Sequence, residues 1–410
     1  MKPMGPIPPY FMDERELTIA GKTAREWVAE HGSPLFIYDV GIVAERLKRL
    51  RAALPEPCEI HFAIKANPLP EMLAAVAPLV GGLDVASGGE LAKALKVKDA
   101  AHISFAGPGK RDAELEAAIV AGATLNLESE GEAERALAIG ARLGIAPKLA
   151  VRVNPDFELR GSGMKMGGRA SPFGVDAARV PALVTMLLER GAIWRGFHIF
   201  AGSQSLDTAA IIETQAATVA LAGRLADEIG ATPPLVNLGG GFGIPYFSGD
   251  LPVDVEMVGA ALGEVLAVRP ASLKASGFAI ELGRWIVGEC GVYLMTVIDK
   301  KQSGDETFLV CDGGLHHQLA ASGNFGTVVK RNYPVAVAHR MADEPGETVS
   351  VVGPLCTPLD RLADRVALPA AHPGDVIAIF LAGAYGASAS PAAFLGHGPA
   401  REIVAAPSHS

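Results

Sequence analysis

Eight short apolar runs, rich in β-branched residues, recur along the first two-thirds of the chain with helical stretches between them. The runs cover residues 59–65, 82–87, 102–106, 124–128, 148–154, 194–200, 235–239 and 278–281. The stretches between, such as 70–79, 90–96, 112–121 and 130–143, repeat their apolar positions at helical spacing. A parallel strand buried on both faces reads as a continuous apolar run, and alternation of such strands with helices builds a parallel sheet. Eight repeats predict an α/β fold, a (β/α)8 TIM-type barrel in preference to a doubly wound sheet. The connection after the fifth run is longer. Its Gly-rich segment 160–174 is expected as a loop near the barrel mouth, followed by a helix over 177–190.

After Arg284 the rhythm changes. Strand-like runs at 292–298, 307–311, 335–338, 348–352 and 375–380 follow one another without long helices, which predicts a mostly antiparallel β domain. Residues 35–38 form another strand candidate ahead of the barrel. The division expected is a barrel over 36–275 and a C-terminal β domain over 276–410, joined by residues 1–35.

Composition excludes several classes of function. The chain has 410 residues, enough for two domains, with 49% hydrophobic and 20% charged residues. The net charge of -9 disfavours nucleic acid as a partner, because phosphate binding needs a basic surface. Cys58, Cys290, Cys311 and Cys356 stand far apart without a C-x-x-C pair, and read as thiols of a reducing compartment. The Pro-rich start lacks the apolar core of a signal peptide. Residues 376–400 contain no Asp, Glu, Lys or Arg, but their Gly, Ser, Ala and Pro content fits a short strand and a loop instead of a membrane span. A cytoplasmic protein without a membrane span is expected. His316 and His317 lack the further ligand spacing of a metal site, and no metal is expected.

Active sites of such barrels lie at the C-terminal ends of the strands. The first run ends on Lys65. A lysine there is either a surface residue with its stem on apolar neighbours, or a buried amine with a depressed pKa suited to Schiff-base chemistry. The seventh run ends on Gly239, Gly240 and Gly241, which form either a turn or a cradle of backbone N–H groups for an anion. The eighth ends on Glu281 and Arg284. These are either a local ion pair, or a phosphate-binding guanidinium and a carboxylate that keeps a pyridine nitrogen protonated. The sixth ends on His198, Phe200 and Ser203. His198 and Phe200 are core residues or partners of a planar cofactor, and Ser203 is a candidate donor to phosphate. One lysine, one anion cradle and one Glu/Arg pair at the same end of one barrel meet the needs of pyridoxal 5'-phosphate (PLP), an electron sink only while its ring nitrogen holds a proton.

These residues resemble the fold-type III PLP-dependent decarboxylases, the group of diaminopimelate, ornithine and arginine decarboxylases. The motifs that carry the resemblance are Phe62-Ala63-Ile64-Lys65-Ala66-Asn67, Asp84-Val85-Ala86-Ser87, Gly239-Gly240-Gly241-Phe242, Glu281-x-Gly283-Arg284, Gly353-Pro354-x-Cys356 and Gly383-Ala384-Tyr385. The resemblance implies that Lys65 is the Schiff-base lysine. It implies that Ser203, the three glycines, Arg284 and Tyr385 hold the phosphate, and that Glu281 meets the ring nitrogen. Asp84, His198 and Phe200 complete the cofactor set. Cys356 is implied as the general acid, supplied across a homodimer with shared active sites. Thr357 and Asp360 would face the substrate with Arg284 and Tyr385.

Two departures from the family pattern fall in the cofactor motifs and two on the substrate side. Phe200 stands where the family has a histidine over the ring, and Leu282 replaces a proline. Thr357 follows the cysteine where the family has Asp or Glu for a distal amine. Ala320 stands where diaminopimelate decarboxylases have an arginine for a distal carboxylate. The segment from Asp312 through Ser322-Gly323-Asn324-Phe325-Gly326-Thr327 resembles a subgroup that includes decarboxylases of carrier-protein-linked glutamyl groups and exosortase-associated decarboxylases. The expected reaction is decarboxylation of an amino acid or of an aminoacyl group tethered to a carrier protein. Alternatives are a diaminopimelate decarboxylase of lysine biosynthesis, an amino-acid racemase and a non-catalytic PLP-binding protein. Glu281 argues against the racemase, which favours an arginine at the ring nitrogen. The long β domain argues against the non-catalytic protein.

Overall fold

The computed structural model describes residues 1–11, 15–157, 164–165, 170–323 and 331–406. It divides into two compact units. One comprises Arg46–Gly243 and Pro252–Gly283; the other comprises Met1–Glu45, Ile244–Leu251 and Arg284–Ser410.

The first unit is the barrel. Its strands are β1 (Cys58–Ala63), β2 (Gly82–Val85), β3 (Ile103–Phe105), β4 (Thr124–Leu127), β5 (Lys148–Asn154), β6 (Ile193–Ile199), β7 (Leu235–Gly240) and β8 (Gly277–Leu282). They pair in parallel in chain order, and β8 pairs with β1, so the sheet closes on itself. Every residue of β2 and of β4 is buried, as expected of strands covered on both faces. The turns into the helices carry their own signals. The side chains of Ser87, Ser129, Asp207 and Asp254 accept the backbone N–H of Glu90, Glu132, Ala210 and Met257 at 3.2, 3.1, 3.0 and 2.8 Å.

The expected division at 275/276 is corrected. β8 lies beyond that boundary, yet it hydrogen-bonds to β7 and β1, and a barrel without it would carry two open edges. Residues 36–45 group with the β domain instead, because the strand Leu35–Asp39 pairs with Gly291–Ser303 and Arg401–Ala405. The helix expected over 177–190 is a 3-10 turn, Ala177–Arg179, and an α-helix, Val180–Glu189. Much of 160–174, and residues Asn324, Phe325, Gly326 and Thr327, lie outside the described residues.

The second unit is an eight-stranded sheet, mostly antiparallel. It contains the five expected strands together with Leu35–Asp39, Arg361–Leu368 and Arg401–Ala405. Two pairings are parallel, Leu35–Asp39 with Arg401–Ala405 and Glu306–Cys311 with Glu347–Val352. Among the described residues no helix is long and apolar enough to cross a membrane, and no cluster of three His, Cys, Asp or Glu could hold a metal ion.

The barrel interior carries charge as well as apolar side chains. Asn126 donates to Ser104 Oγ at 3.0 Å, and Ser104 donates to Asp84. His61 lies 3.5 Å from Asp84 through Nδ1 and 3.5 Å from Glu59 through Nε2, close enough for ion pairing but long for hydrogen bonds. Gly82 makes room for the ring, because a Cβ there would stand 2.8 Å from it. Burial pushes the His61 pKa down, but Asp84 and Glu59 outweigh it and raise the pKa to about 10. A raised histidine pKa contributes stability that is complete below its ordinary value of 6.5 and is lost as pH climbs through about 10. His61→Gln is therefore expected to cost about 3 kcal/mol near pH 6, with a deficit that shrinks towards pH 10, as read by urea unfolding across that range. A deficit that stays constant with pH would show that the imidazole is neutral.

Candidate active site

The C-terminal ends of β1, β6, β7 and β8 carry the residues singled out in the sequence. Lys65 sits on the 3-10 turn Ile64–Ala66, directly after β1. It is exposed, not buried as the Schiff-base reading of the strand end assumed, because the chain leaves the sheet at Ala63 before the lysine is reached. Its Nζ lies 5.9 Å from the centre of the Phe200 ring.

His198 and Glu281 meet across the barrel interior. His198 Nε2 is 2.9 Å from Glu281 Oε2, and the two residues are only 3% and 8% exposed. Burial alone would raise the Glu281 pKa. The His198 hydrogen bond and the charges of His198, Lys65 and Arg152 reverse this and hold the carboxylate well below its usual range. The charged form makes Nε2 the donor of this bond. His198 Nδ1 is buried without a hydrogen-bond partner among the described residues.

Arg152 is fixed by a residue the sequence reading did not single out. Glu128, at the end of β4, accepts from Arg152 Nη1 at 2.9 Å, from Gly107 N at 2.6 Å and from Gly174 N at 2.7 Å. It thereby joins the β3, β4 and β5 ends. Its signal in sequence was a charged residue at the end of an apolar run, the same signal that marked Lys65.

The glycines are required by backbone geometry. Gly239 and Gly241 adopt φ of +68° and +87°. A Cβ on Gly240 would stand 1.9 Å from Glu281 O, and one on Gly239 would stand 2.6 Å from Ile199 O. Beyond the strands, Ser205 N donates to Gly241 O at 2.9 Å and Gly243 N to Ser205 O at 2.8 Å, so the segments after β6 and β7 run side by side. Ser203 Oγ is buried and has no hydrogen-bond partner among the described residues. Asp84, expected near the cofactor, is occupied by Ser104 and His61.

In the β unit, Arg284 is held by aromatic rings. Its Nη1 donates to Tyr246 OH at 2.8 Å, and its guanidinium lies 5.3 Å from the Tyr246 ring and 4.7 Å from the Tyr385 ring. Tyr246, only 3% exposed, was missed in sequence although it closely follows the glycine run. Tyr385 has φ of +55°, a conformation that costs a non-glycine residue roughly 1–3 kcal/mol.

Cys356 is exposed. Asp360 is buried. Its Oδ1 accepts Leu315 N at 2.7 Å and its Oδ2 accepts Leu355 N at 2.9 Å. Gly314 and Gly353 lack a Cβ where this carboxylate packs, since an added Cβ would lie 2.4 and 2.3 Å from its oxygens. Asp360, expected among the substrate contacts, thus ties the cysteine loop to the turn before His316. Thr357 Oγ1 accepts a long bond from Leu359 N, 3.3 Å. Ala320 lies in the 3-10 turn Leu319–Ser322. His316 is fully buried, with neither ring nitrogen partnered among the described residues.

A closed parallel barrel thus carries a lysine, a buried carboxylate and a glycine-lined strand end at the C-terminal ends of its strands. Residues 40–288 match the family described as pyridoxal-dependent decarboxylase, pyridoxal binding domain, and the chain belongs to it. L-glutamyl-[BtrI acyl-carrier protein] decarboxylase of Niallia circulans is 32% identical over 96% of this chain and 92% of its own length. Diaminopimelate decarboxylase of Methanothermobacter thermautotrophicus is 30% identical over 92% of this chain and 88% of its own. The solved diaminopimelate decarboxylase of M. jannaschii in co-complex with L-lysine aligns with a TM-score of 0.86 at 26% identity, covering 96% of this chain and 92% of that one. The protein is a PLP-dependent carboxy-lyase.

The residues present fit that cofactor. Ser203 offers a buried hydroxyl without a partner among the described residues, and the positive-φ glycines leave backbone free of side chains. Glu281 is buried and held charged, with His198 as its hydrogen-bond partner. Removing one member of the His198–Glu281 pair leaves a buried group uncompensated. His198→Leu is expected to destabilise the apoprotein by roughly 3–5 kcal/mol, and the His198→Leu/Glu281→Leu double variant to recover most of it in urea unfolding. Additive losses would show that the two side chains are not coupled.

Proposed function

We propose that this decarboxylase acts on an aminoacyl group whose distal end is uncharged or tethered, such as a glutamyl group on a carrier protein. The observation that carries the reading is the absence of charge where the family grips a free substrate. Thr357 cannot pair with a distal ammonium, and Ala320 cannot pair with a distal carboxylate. A charged end buried without a partner costs several kcal/mol, on the order of 3–5. The glutamyl-carrier decarboxylase of Niallia circulans supports the same reading through its similarity over most of both chains.

Bound PLP supplies the electron sink for the bond to the carboxylate that breaks. Lys65 would carry the cofactor on its ε-amine. Ser203, the backbone of Gly239, Gly240 and Gly241, and Arg284 would take the phosphate, with Tyr385 ordering the guanidinium. Glu281, held charged by His198, would keep the ring nitrogen protonated. Phe200 would lie against the ring but has no proton to give. Cys356 would deliver the proton to Cα. Asp360 would serve this step indirectly, by fixing the loop that bears Cys356. We further propose a homodimer in which Cys356 of one copy serves Lys65 of the other. The four free cysteines fit a reducing, cytoplasmic setting.

Product analysis tests the substrate class. Carrier-linked glutamate should be decarboxylated efficiently, and free meso-diaminopimelate, ornithine and lysine poorly. Efficient turnover of free diaminopimelate by the native protein would overturn the proposal. Thr357→Glu should shift the preference towards diamino substrates. Lys65→Ala and Cys356→Ala should each lose roughly 100- to 10,000-fold in turnover. Mixed after dissociation, they should regain activity through heterodimers that rebuild one complete site. No recovery despite proven subunit exchange would place both residues in the same copy.

A further inference from the structure

The barrel also holds a cavity at the opposite end of its strands from Lys65, with polar groups set among apolar lining. Its volume is about 340 Å3, and its lining includes Glu59 and His61 of β1, Asn126 of β4, Arg195 of β6, Asn237 of β7, and His102 just ahead of β3. These residues lie in the beginnings of their strands or at the strand centres. None of them has a part in the decarboxylation described above.

Arg195 is placed by a bulge. β6 and β5 run in register through Trp194 opposite Leu149, and then Gly196 opposite Ala150, so Arg195 is the extra residue. Bulges are rare in parallel pairs, and they re-aim a side chain. This one depends on glycine: Gly196 has φ of +106°, and a Cβ there would stand 1.9 Å from Leu235 O. The side chain so aimed lines the cavity, is only partly exposed, and makes no hydrogen bond or ion pair with any described residue. Partial burial of an unpaired guanidinium is unfavourable, and its planar array of donors matches an oxyanion.

The rest of the lining is consistent with this charge preference. His61 is only 7% exposed, and Asp84 and Glu59, each 3.5 Å from a ring nitrogen, favour its protonated form. Asn237 Oδ1 accepts Gly239 N at 2.9 Å, which leaves its amide NH2 as a donor. Glu59 is the one carboxylate of the lining, and it lies 3.5 Å from His61. A volume near 340 Å3 is within the range of small-molecule sites, roughly 300–1,000 Å3.

We propose that this cavity is a second ligand site, which binds a small oxyanion, carboxylate or phosphate, through Arg195 with His102 and Asn237 as further donors. The site is separate from the cofactor, and its occupancy does not depend on which substrate the enzyme decarboxylates. The test is calorimetric titration of the holoenzyme, whose cofactor phosphate site is already filled, with inorganic phosphate and separately with malonate. Saturable binding of at least one anion is expected, and the tighter of the two identifies the source. Arg195→Gln should weaken it by at least about tenfold, and Arg195→Lys by less, with cofactor content and decarboxylation unchanged in both. If neither anion binds saturably at millimolar concentration, or if the folded Arg195→Gln or Arg195→Lys variants bind as the native protein does, the proposal fails.

Discussion

Closing a parallel sheet on itself leaves no strand edge and no solvent face, and this constraint governs the rest of the barrel. Outside the two bulged stretches the backbone groups in the strands find neighbours, and most side chains pointing inward leave water. Apolar residues gain by that transfer. Fully buried charged ones are tolerated only with partners, because an isolated buried charge costs far more than any contact returns. The interior polar groups accordingly occur in sets: His61 with Asp84 and Glu59, His198 with Glu281, and Arg152 with Glu128. The last two sets lie towards the C-terminal ends of their strands, the end at which barrels of this type carry their active sites. Glu281 is held charged by the same low-polarity surroundings that would otherwise neutralise it, since those surroundings also strengthen its interactions with His198, Lys65 and Arg152.

Much of this was legible in the sequence. All eight barrel strands lie where apolar β-branched runs occur, because a strand buried on both faces must be apolar along its length. The charged residues at the strand ends were legible for the opposite reason. Lys65, Glu281 and Arg284 break apolar runs at their ends, where a charge is unexpected unless it is used. The domain boundary was less legible. A long-range pairing decides it: β8 returns to β1 across more than two hundred residues of sequence, and no local pattern records that.

The positioning residues were the least legible. Tyr246, Asp360 and Glu128 act through partners distant in sequence, and each belongs to a residue type common on any surface. Arg195 is hidden by the same logic, since a one-residue register shift is a property of two strands together. Lys65 shows a subtler limit. Its position at a strand end was read correctly, but its exposure depends on where the sheet stops, two residues earlier than the apolar run does.

The clamp formed by Asp360 has an evolutionary consequence. The loop carrying Cys356 takes its shape from a carboxylate four positions downstream, seated over two glycines that have no side chain to obstruct it. The residue at 357 contributes little to that shape. Selection can therefore exchange the side chain at 357 without disturbing the scaffold that presents the thiol. A loop organised in this way separates the fold of a segment from the side chains it displays, and single substitutions on it leave the clamp intact.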